Sequence, residues 1–405
     1  MYVGLRAVLL TSIALSLAVC DHKDDSIPVA PRDVDNVFGS VRQRWFQSQA
    51  SWPTARPLVA GDVVIFGTGD QRLVARDRKT GAPRWTTRVT SVTQGQNVAV
   101  GGLDIVASAG AAVAALSRNV VGVDVATGTE LWSYSPPPDT TANPQPGPGA
   151  VVASGLVADG DFVYVPAWGA SVSALDIHTG ASQWVWRPSP APTFRSGAQG
   201  ATLSGDTLFV NAWNALNAQF SRTEAWLVAL DRRTGRELWR VAFPSYTLGT
   251  VVSGRPALWH NLVIVASAGG YVFAVDRTTR AIAWRYTPTS KHTSDAGPVV
   301  FGDVVYVDAG DDYVLAMRAS DGGALWRTNM LNSTSSDFLV TPSRLYAVDG
   351  AFMNIIDRAT GRFVARRMSP NASTAVGAAF TTPPAAAGNE IYVTVMGGAW
   401  SFQEP

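Results

Sequence analysis

The sequence predicts an all-β protein, an eight-bladed β-propeller of four-stranded antiparallel blades, on three observations. The first is composition. A chain of 405 residues exceeds the size at which a single core usually stops growing, which leaves two domains or a repeat. Gly 37, Pro 24 and 14 Trp, with only 16% charged residues, describe a large apolar core with many turns. The second is a turn-and-tryptophan motif that recurs along the chain at one fixed spacing. The third is a pair of unmatched ends that complete one another.

The motif comes first, because it sets the blade. Asp77, Thr80, Gly81 and Trp85 recur as Asp124, Thr127, Gly128 and Trp132, as Asp176, Thr179, Gly180 and Trp184, and as Asp231, Thr234, Gly235 and Trp239. Asp276 and Trp284 keep the ends, with Arg280 in place of Gly. The next copy has Arg318, Asp321, Gly322 and Trp326; the last has Asp357, Thr360 and Gly361, with Ala365 where Trp stands elsewhere. The Asp ends one strand and accepts hydrogen bonds from backbone N–H groups of its own turn. The Gly supplies the positive φ of a short hairpin loop with a bulge. The Trp opens an outer strand and covers the neighbouring blade, a burial that contributes about 2–3 kcal/mol. Weak seams are expected at Arg280 and Ala365.

A second pattern precedes each motif: a turn, then an apolar strand. It is clearest in Gly61-Asp62-Val63-Val64-Ile65, Gly160-Asp161-Phe162, Gly205-Asp206-Thr207 and Gly302-Asp303-Val304. Each unit therefore reads as three strands, the Asp-Thr-Gly turn and a Trp strand, which is one blade. Two ends remain. Glu390 to Val395 and Ala399 to Phe402 are strands with no motif after them; Val41 to Trp45 is a Trp strand with no blade before it. Joined, they make an eighth blade and close the ring without an open edge. Pro-rich loops at 136–149 and 187–200, and a lengthened hairpin from Asn211 to Glu224 bearing Trp213 and Phe220, are the places where binding would be carried.

Ahead of the ring lie Arg6 and the apolar run Ala7 to Val19, too short to span a bilayer comfortably, then Cys20, the one cysteine in the chain. The run Leu17-Ala18-Val19-Cys20 resembles a bacterial lipoprotein signal, with Val19 where a smaller residue is usual. The resemblance implies cleavage before Cys20 and lipidation of that residue. The division is then a signal at 1–20, a flexible tether at 21–40 and the propeller at 41–405, in the cell envelope and with no intramolecular disulfide.

The Asp-x-x-Thr-Gly-x-x-x-Trp repeat, cleanest in Val228 to Trp239, resembles that of the pyrroloquinoline-quinone (PQQ) propeller superfamily. That superfamily includes quinoprotein dehydrogenases and non-catalytic scaffolds of the BamB type, lipoproteins of outer-membrane protein assembly. The dehydrogenase resemblance implies PQQ covered by a disulfide of adjacent cysteines, with Ca²⁺ held by oxygens; no adjacent cysteine pair is present. Asp295 and Asp337, with Asn97, are the oxygen donors nearest to strand starts. The chain has no paired-histidine metal motif, nucleophile elbow or phosphate loop. Its signal, tether and single propeller resemble the BamB type in size and layout. That resemblance implies a monomeric, non-catalytic propeller with an envelope protein partner and no cofactor, the alternative being a PQQ-dependent or other small-ligand-binding propeller. A net charge of +1 gives no sign of a nucleic-acid partner. Arg56, Arg195, Arg255, Asp295 and Asp337 fall before first strands and are the candidate contacts at one mouth of the ring, where arginine could hold an anion or a partner carboxylate.

Overall fold

A computed structural model describes residues 20–23, 42–48, 55–89, 104–116, 118–138, 152, 155–169, 171–189, 196–217, 223–244, 252–288, 296–310, 313–330, 337–349, 352–368, 382–395 and 398–404. Within these residues, eight antiparallel sheets form eight blades, seven of them four-stranded and the fifth with one added strand. Blade 1 consists of Leu58–Ala60, Val63–Thr68, Arg72–Asp77 and Pro83–Arg88, running from the axis outward. Blades 2 to 7 open with Ile105–Ser108, Val157–Asp159, Ser196–Ser204, Val252–Trp259, Val299–Phe301 and Leu339–Val340. Blade 8 takes Ala385–Ala387, Glu390–Val395 and Gly398–Gln403 from one end of the chain and its outer strand, Arg42–Ser48, from the other. Trp45 stands opposite Ser401 in that closing pair. The apolar run before Cys20 lies outside the described residues. Cys20–Lys23 form a short strand, parallel to the outer strand of blade 5, Ala281–Thr287, with Cys20 beside Trp284 and Asp21 beside Arg285.

The motif works locally first. Asp77 Oδ1 accepts from the N–H groups of Lys79 and Thr80 at 3.0 and 2.9 Å and from the Thr80 hydroxyl at 2.9 Å. Gly81 carries φ 73°, and a register shift between Ala75 and Arg76 follows as a bulge. Then it works across the seam. Trp85 Nε1–H donates to the Val125 carbonyl of blade 2 at 2.8 Å. The Trp85 ring covers Gly128, where a Cβ would come within 2.5 Å of it. Trp45, Trp132, Trp184, Trp284 and Trp326 repeat both contacts on the following blade. The glycine of each copy thus has a second task, to leave room for the tryptophan of the blade before it.

The two broken copies are handled differently. Arg280 holds the glycine backbone shape with φ 57°, a left-handed conformation that costs a side-chain-bearing residue about 1 kcal/mol or more. At Ala365 the missing ring is replaced from the other side of the seam. Trp400 and Phe402 of blade 8, their ring centres 5.1 Å apart, pack towards Tyr346, which lies 6.2 Å from Phe402. Apolar clusters fill every seam of the ring, so the core is a circle of interfaces rather than a centre.

The turn aspartates make the ring sensitive to acid. The Arg84 guanidinium holds the Asp77 carboxyl well below the usual carboxylate range. Hydrogen bonds from Thr127, Thr179 and Thr234 lower Asp124, Asp176 and Asp231 in the same direction. A carboxyl depressed on folding stabilises the fold above its unfolded pKa, about 4, and that contribution is lost as pH falls through the depressed value. The melting temperature is expected to hold from pH 7 to pH 5 and to fall steadily below pH 4. Melts across that range check this; a flat profile down to pH 2 would contradict it.

Candidate functional site

Strand direction places the Gly-Asp and Asp-Thr-Gly turns on one face of the ring. On the other face the first strands begin and the second and third strands turn. The residue five before the first turn of each blade falls at the same place beside the axis: Arg56, Asp104, Gly155, Gly200, Arg255, Gly297, Asp337 and Pro383. Four of these are charged and balanced in sign, and two of them, Arg255 and Asp104, pair across the axis.

Arg255 of blade 5 forms an ion pair with Asp104 of blade 2; their side chains are 37% and 10% exposed. Arg56 of blade 1 donates to the Phe338 carbonyl of blade 7 at 3.4 Å. Asp337 accepts from the Gly297 N–H of blade 6 at 2.7 Å. Burial pushes the Asp104 carboxyl up; Arg255 and, more weakly, Arg56 oppose this, and the Asp337 charge adds to it. Of the mouth residues expected from the sequence, Arg56, Arg255 and Asp337 converge, while Arg195 and Asp295 lie outside the described residues, as does Asn97, the further candidate oxygen donor. Asp104 was missed. Its signal was present, since it stands as far before Ala109-Gly110 as Arg56 stands before Gly61-Asp62, but it carries the opposite charge.

The other half of this axial circle is backbone against backbone. At Gly200, φ 63°, a Cβ would lie 1.8 Å from the Gly254 carbonyl oxygen, and at Gly254, φ 65°, one would lie 2.2 Å from the Gly297 nitrogen. Only glycine lets the inner strands of blades 4, 5 and 6 meet this closely. Asn211 Nδ2 then ties blade 4 to the Gly254 carbonyl at 3.1 Å. Blade 4 also rises above its neighbours on this face. Its first three strands are nine residues each, so they extend by about 10 Å past the six-residue strands of blade 1. Trp213 sits on that extension, edge-on to Trp168 at 6.3 Å; Phe220 is outside the described residues.

This arrangement grips the ring across its axis and raises one wall beside the grip. The adjacent cysteine pair that the dehydrogenase resemblance implies is absent from the chain, and the two axial arginines are engaged within the ring. Among the described residues, no three His, Cys, Asp or Glu side chains gather to hold a metal ion. Arg255→Ala would strand the buried Asp104 carboxylate and is expected to cost about 3 kcal/mol, the low end for such a pair because Arg255 is partly exposed. Asp104→Asn/Arg255→Met should recover most of that loss. Urea unfolding of the three proteins checks it; an equal loss in the single and double variants would contradict it.

The family model described as outer membrane protein assembly factor BamB matches residues 39–218 and 223–401, which is nearly the whole ring. The chain belongs to the BamB family. The BamB of Burkholderia pseudomallei is 26% identical over 411 residues, covering 96% of this chain and 95% of that protein. Quinohemoprotein alcohol dehydrogenase of Comamonas testosteroni is 29% identical over 149 residues, only 34% of this chain and 20% of that enzyme. Among solved structures, BamB of Moraxella catarrhalis superposes with a TM-score of 0.63 at 17% identity, covering 90% of this chain and 98% of that one. A europium-containing methanol dehydrogenase superposes at 0.68 with 12% identity, so structural likeness alone does not separate BamB from the dehydrogenases.

Proposed function

We propose that this BamB-family chain is a non-catalytic, monomeric docking scaffold in the cell envelope, anchored by lipid at Cys20 and acting in outer-membrane protein assembly. In this reading residues 1–20 are the export signal, 21–40 link the anchor to the ring, and 41–405 form the propeller. The observation that carries it is end-to-end correspondence with the Burkholderia protein, whose name states that role for it. The dehydrogenase correspondence covers about a third of the chain and a fifth of the enzyme. The missing cysteine pair and the gripped axis support the same reading. Raised strands of blade 4 beside the mouth offer a rigid surface to a partner protein.

Pull-down of the tagged chain from detergent-solubilised envelopes tests the proposal. Stoichiometric recovery of an outer-membrane or envelope protein is expected; recovery of the bait alone would count against it. The second reading is a PQQ- and Ca²⁺-dependent enzyme or another ligand-binding propeller, favoured by the regional dehydrogenase matches. It requires an absorbance change and dye-linked oxidation after PQQ and Ca²⁺ are added. Mass spectrometry of the mature N-terminus tests lipidation at Cys20 separately.

A further inference from the structure

The seam between blades 7 and 8 departs from the repeat twice. Ala365 stands where the motif tryptophan stands elsewhere, and two positions on comes Arg367. At that phase in other blades Thr87, Tyr134, Trp186 and Thr328 each donate a hydrogen bond across the seam to the following blade. Arg367 faces blade 8 as well, because it stands opposite Met353, a member of the apolar cluster that fills this seam. Its Nε–H and Nη2–H are nonetheless buried with no hydrogen-bond partner among the described residues. Burial pushes the guanidinium pKa down, and no carboxylate opposes that shift.

A second donor lies at the same height. Tyr346 and Phe402, with ring centres 6.2 Å apart, mark one level of the seam, and Ala365 shares that level through Ile355. Arg367 is two residues further along its strand towards the mouth face; Trp400 is two residues from Phe402 in the same direction. Trp400 is 6% exposed, and its Nε1–H is likewise buried without a partner among the described residues. Two side chains from facing blades thus present buried N–H groups and no acceptor. A buried cation without a counter-charge destabilises a fold, and a buried donor without an acceptor adds to the loss. Blade 4 shows what satisfies the same edge of an arginine: Arg240 Nε and Nη2 fork onto the Glu237 carboxylate at 2.5 and 2.6 Å.

We propose that the seam of blades 7 and 8 is a carboxylate-binding site, in which Arg367 Nε and Nη2 fork onto one carboxylate of a partner protein and Trp400 Nε1 donates to the same group. Arg367 is half-buried, so a rotamer change presents the fork to an incoming acid without unfolding the seam. The site lies on the outer strands, apart from the axial circle of Arg56, Asp104, Arg255 and Asp337. That the carboxylate belongs to a protein rests on the docking-scaffold reading; the preference of the seam for a carboxylate does not.

The test uses the chain from Cys20 onward, made without lipid and with isotope-labelled tryptophan indoles; the signal missing from Trp400→Phe identifies Trp400. Two probes are titrated in: acetyl-Gly-Gly-Asp amide, which offers a side-chain carboxylate, and acetyl-Gly-Gly-Gly with a free chain end. A saturable shift of the Trp400 signal is expected, and the probe that binds more tightly names the source of the acid. Acetyl-Gly-Gly-Asn amide should leave the signal in place. Arg367→Gln is expected to weaken binding about ten-fold, the fold-change that corresponds to about 1.4 kcal/mol. Arg366→Gln should leave it unchanged, since the Arg366 guanidinium lies over Phe352 at 3.7 Å. Arg367→Met should abolish binding and raise the urea midpoint, because it removes a buried cation that lacks a counter-charge. An arginine that only packs would not set stability against binding in this way. No shift with either probe, an equal shift from the Asn peptide or from sodium chloride at the same ionic strength, or a lowered midpoint in Arg367→Met would overturn the proposal. Should an Arg367 variant not fold, the titration of the parent chain still decides. A saturable shift alongside a pull-down that recovers the bait alone would defeat the protein partner and leave the carboxylate site standing.

Discussion

Removal of residues 1–48 is expected to lower the unfolding free energy by at least about 5 kcal/mol and to produce dimers or aggregates. The segment Arg42–Ser48 is the outer strand of blade 8 and pairs along the whole of Gly398–Gln403. Trp45, 6% exposed, leaves with it. So do its hydrogen bond to the Arg78 carbonyl at 3.0 Å, its cover over Gly81 and its contact with Tyr392, whose ring centre is 6.2 Å away. Deleting a large buried ring costs about 3–5 kcal/mol by itself, and the uncovered edge then templates association. A permuted chain that carries residues 42–48 after Glu404 should regain the parent's stability. Urea unfolding and light scattering of the three proteins check this. An unchanged midpoint in the truncated chain would show that the ring does not need its closing strand.

Trp284→Ala is expected to destabilise by about 4 kcal/mol, and Trp239→Ala by about half as much. Trp284 is 1% exposed, donates to the Ala319 carbonyl at 3.0 Å and lies on Gly322. Trp239 is only half-buried and faces the copy in which Arg280 replaces glycine. Gly322→Ala attacks the same contact from the other blade, since its Cβ would meet Trp284 at 2.6 Å in a backbone of φ 76°. The double variant Trp284→Ala/Gly322→Ala should cost less than the two single losses added together, because truncating the ring removes the clash. Additive losses would show that the two residues do not share one contact.

The blades and their closure were legible because each rests on a residue with a narrow physical role. A glycine at positive φ and a tryptophan at constant phase leave few alternatives, and an unpaired Trp strand needed a partner. Three features were not legible. Asp104 sits in the register of Arg56 and Arg255, but a search by residue type passes over a carboxylate among arginines. Gly200 and Gly254 look like turn residues in sequence, whereas their role is set by a neighbouring backbone distant in the chain. The strand at Cys20–Lys23 has the polar composition of a linker; the free edge of blade 5, not local propensity, decides that it pairs.

The closing strand also sets an order in time. Arg42 pairs with Gln403, a separation of about 360 residues, so the first strand of the ring to be made must wait for the last. Contacts of such long range form late, after the loop they close has been ordered. A chain that crosses a membrane amino end first would therefore spend its passage as an open arc with two bare edges. Any factor that shields Arg42–Ser48 until Gly398–Gln403 emerges would then raise the yield of rings without touching their final stability.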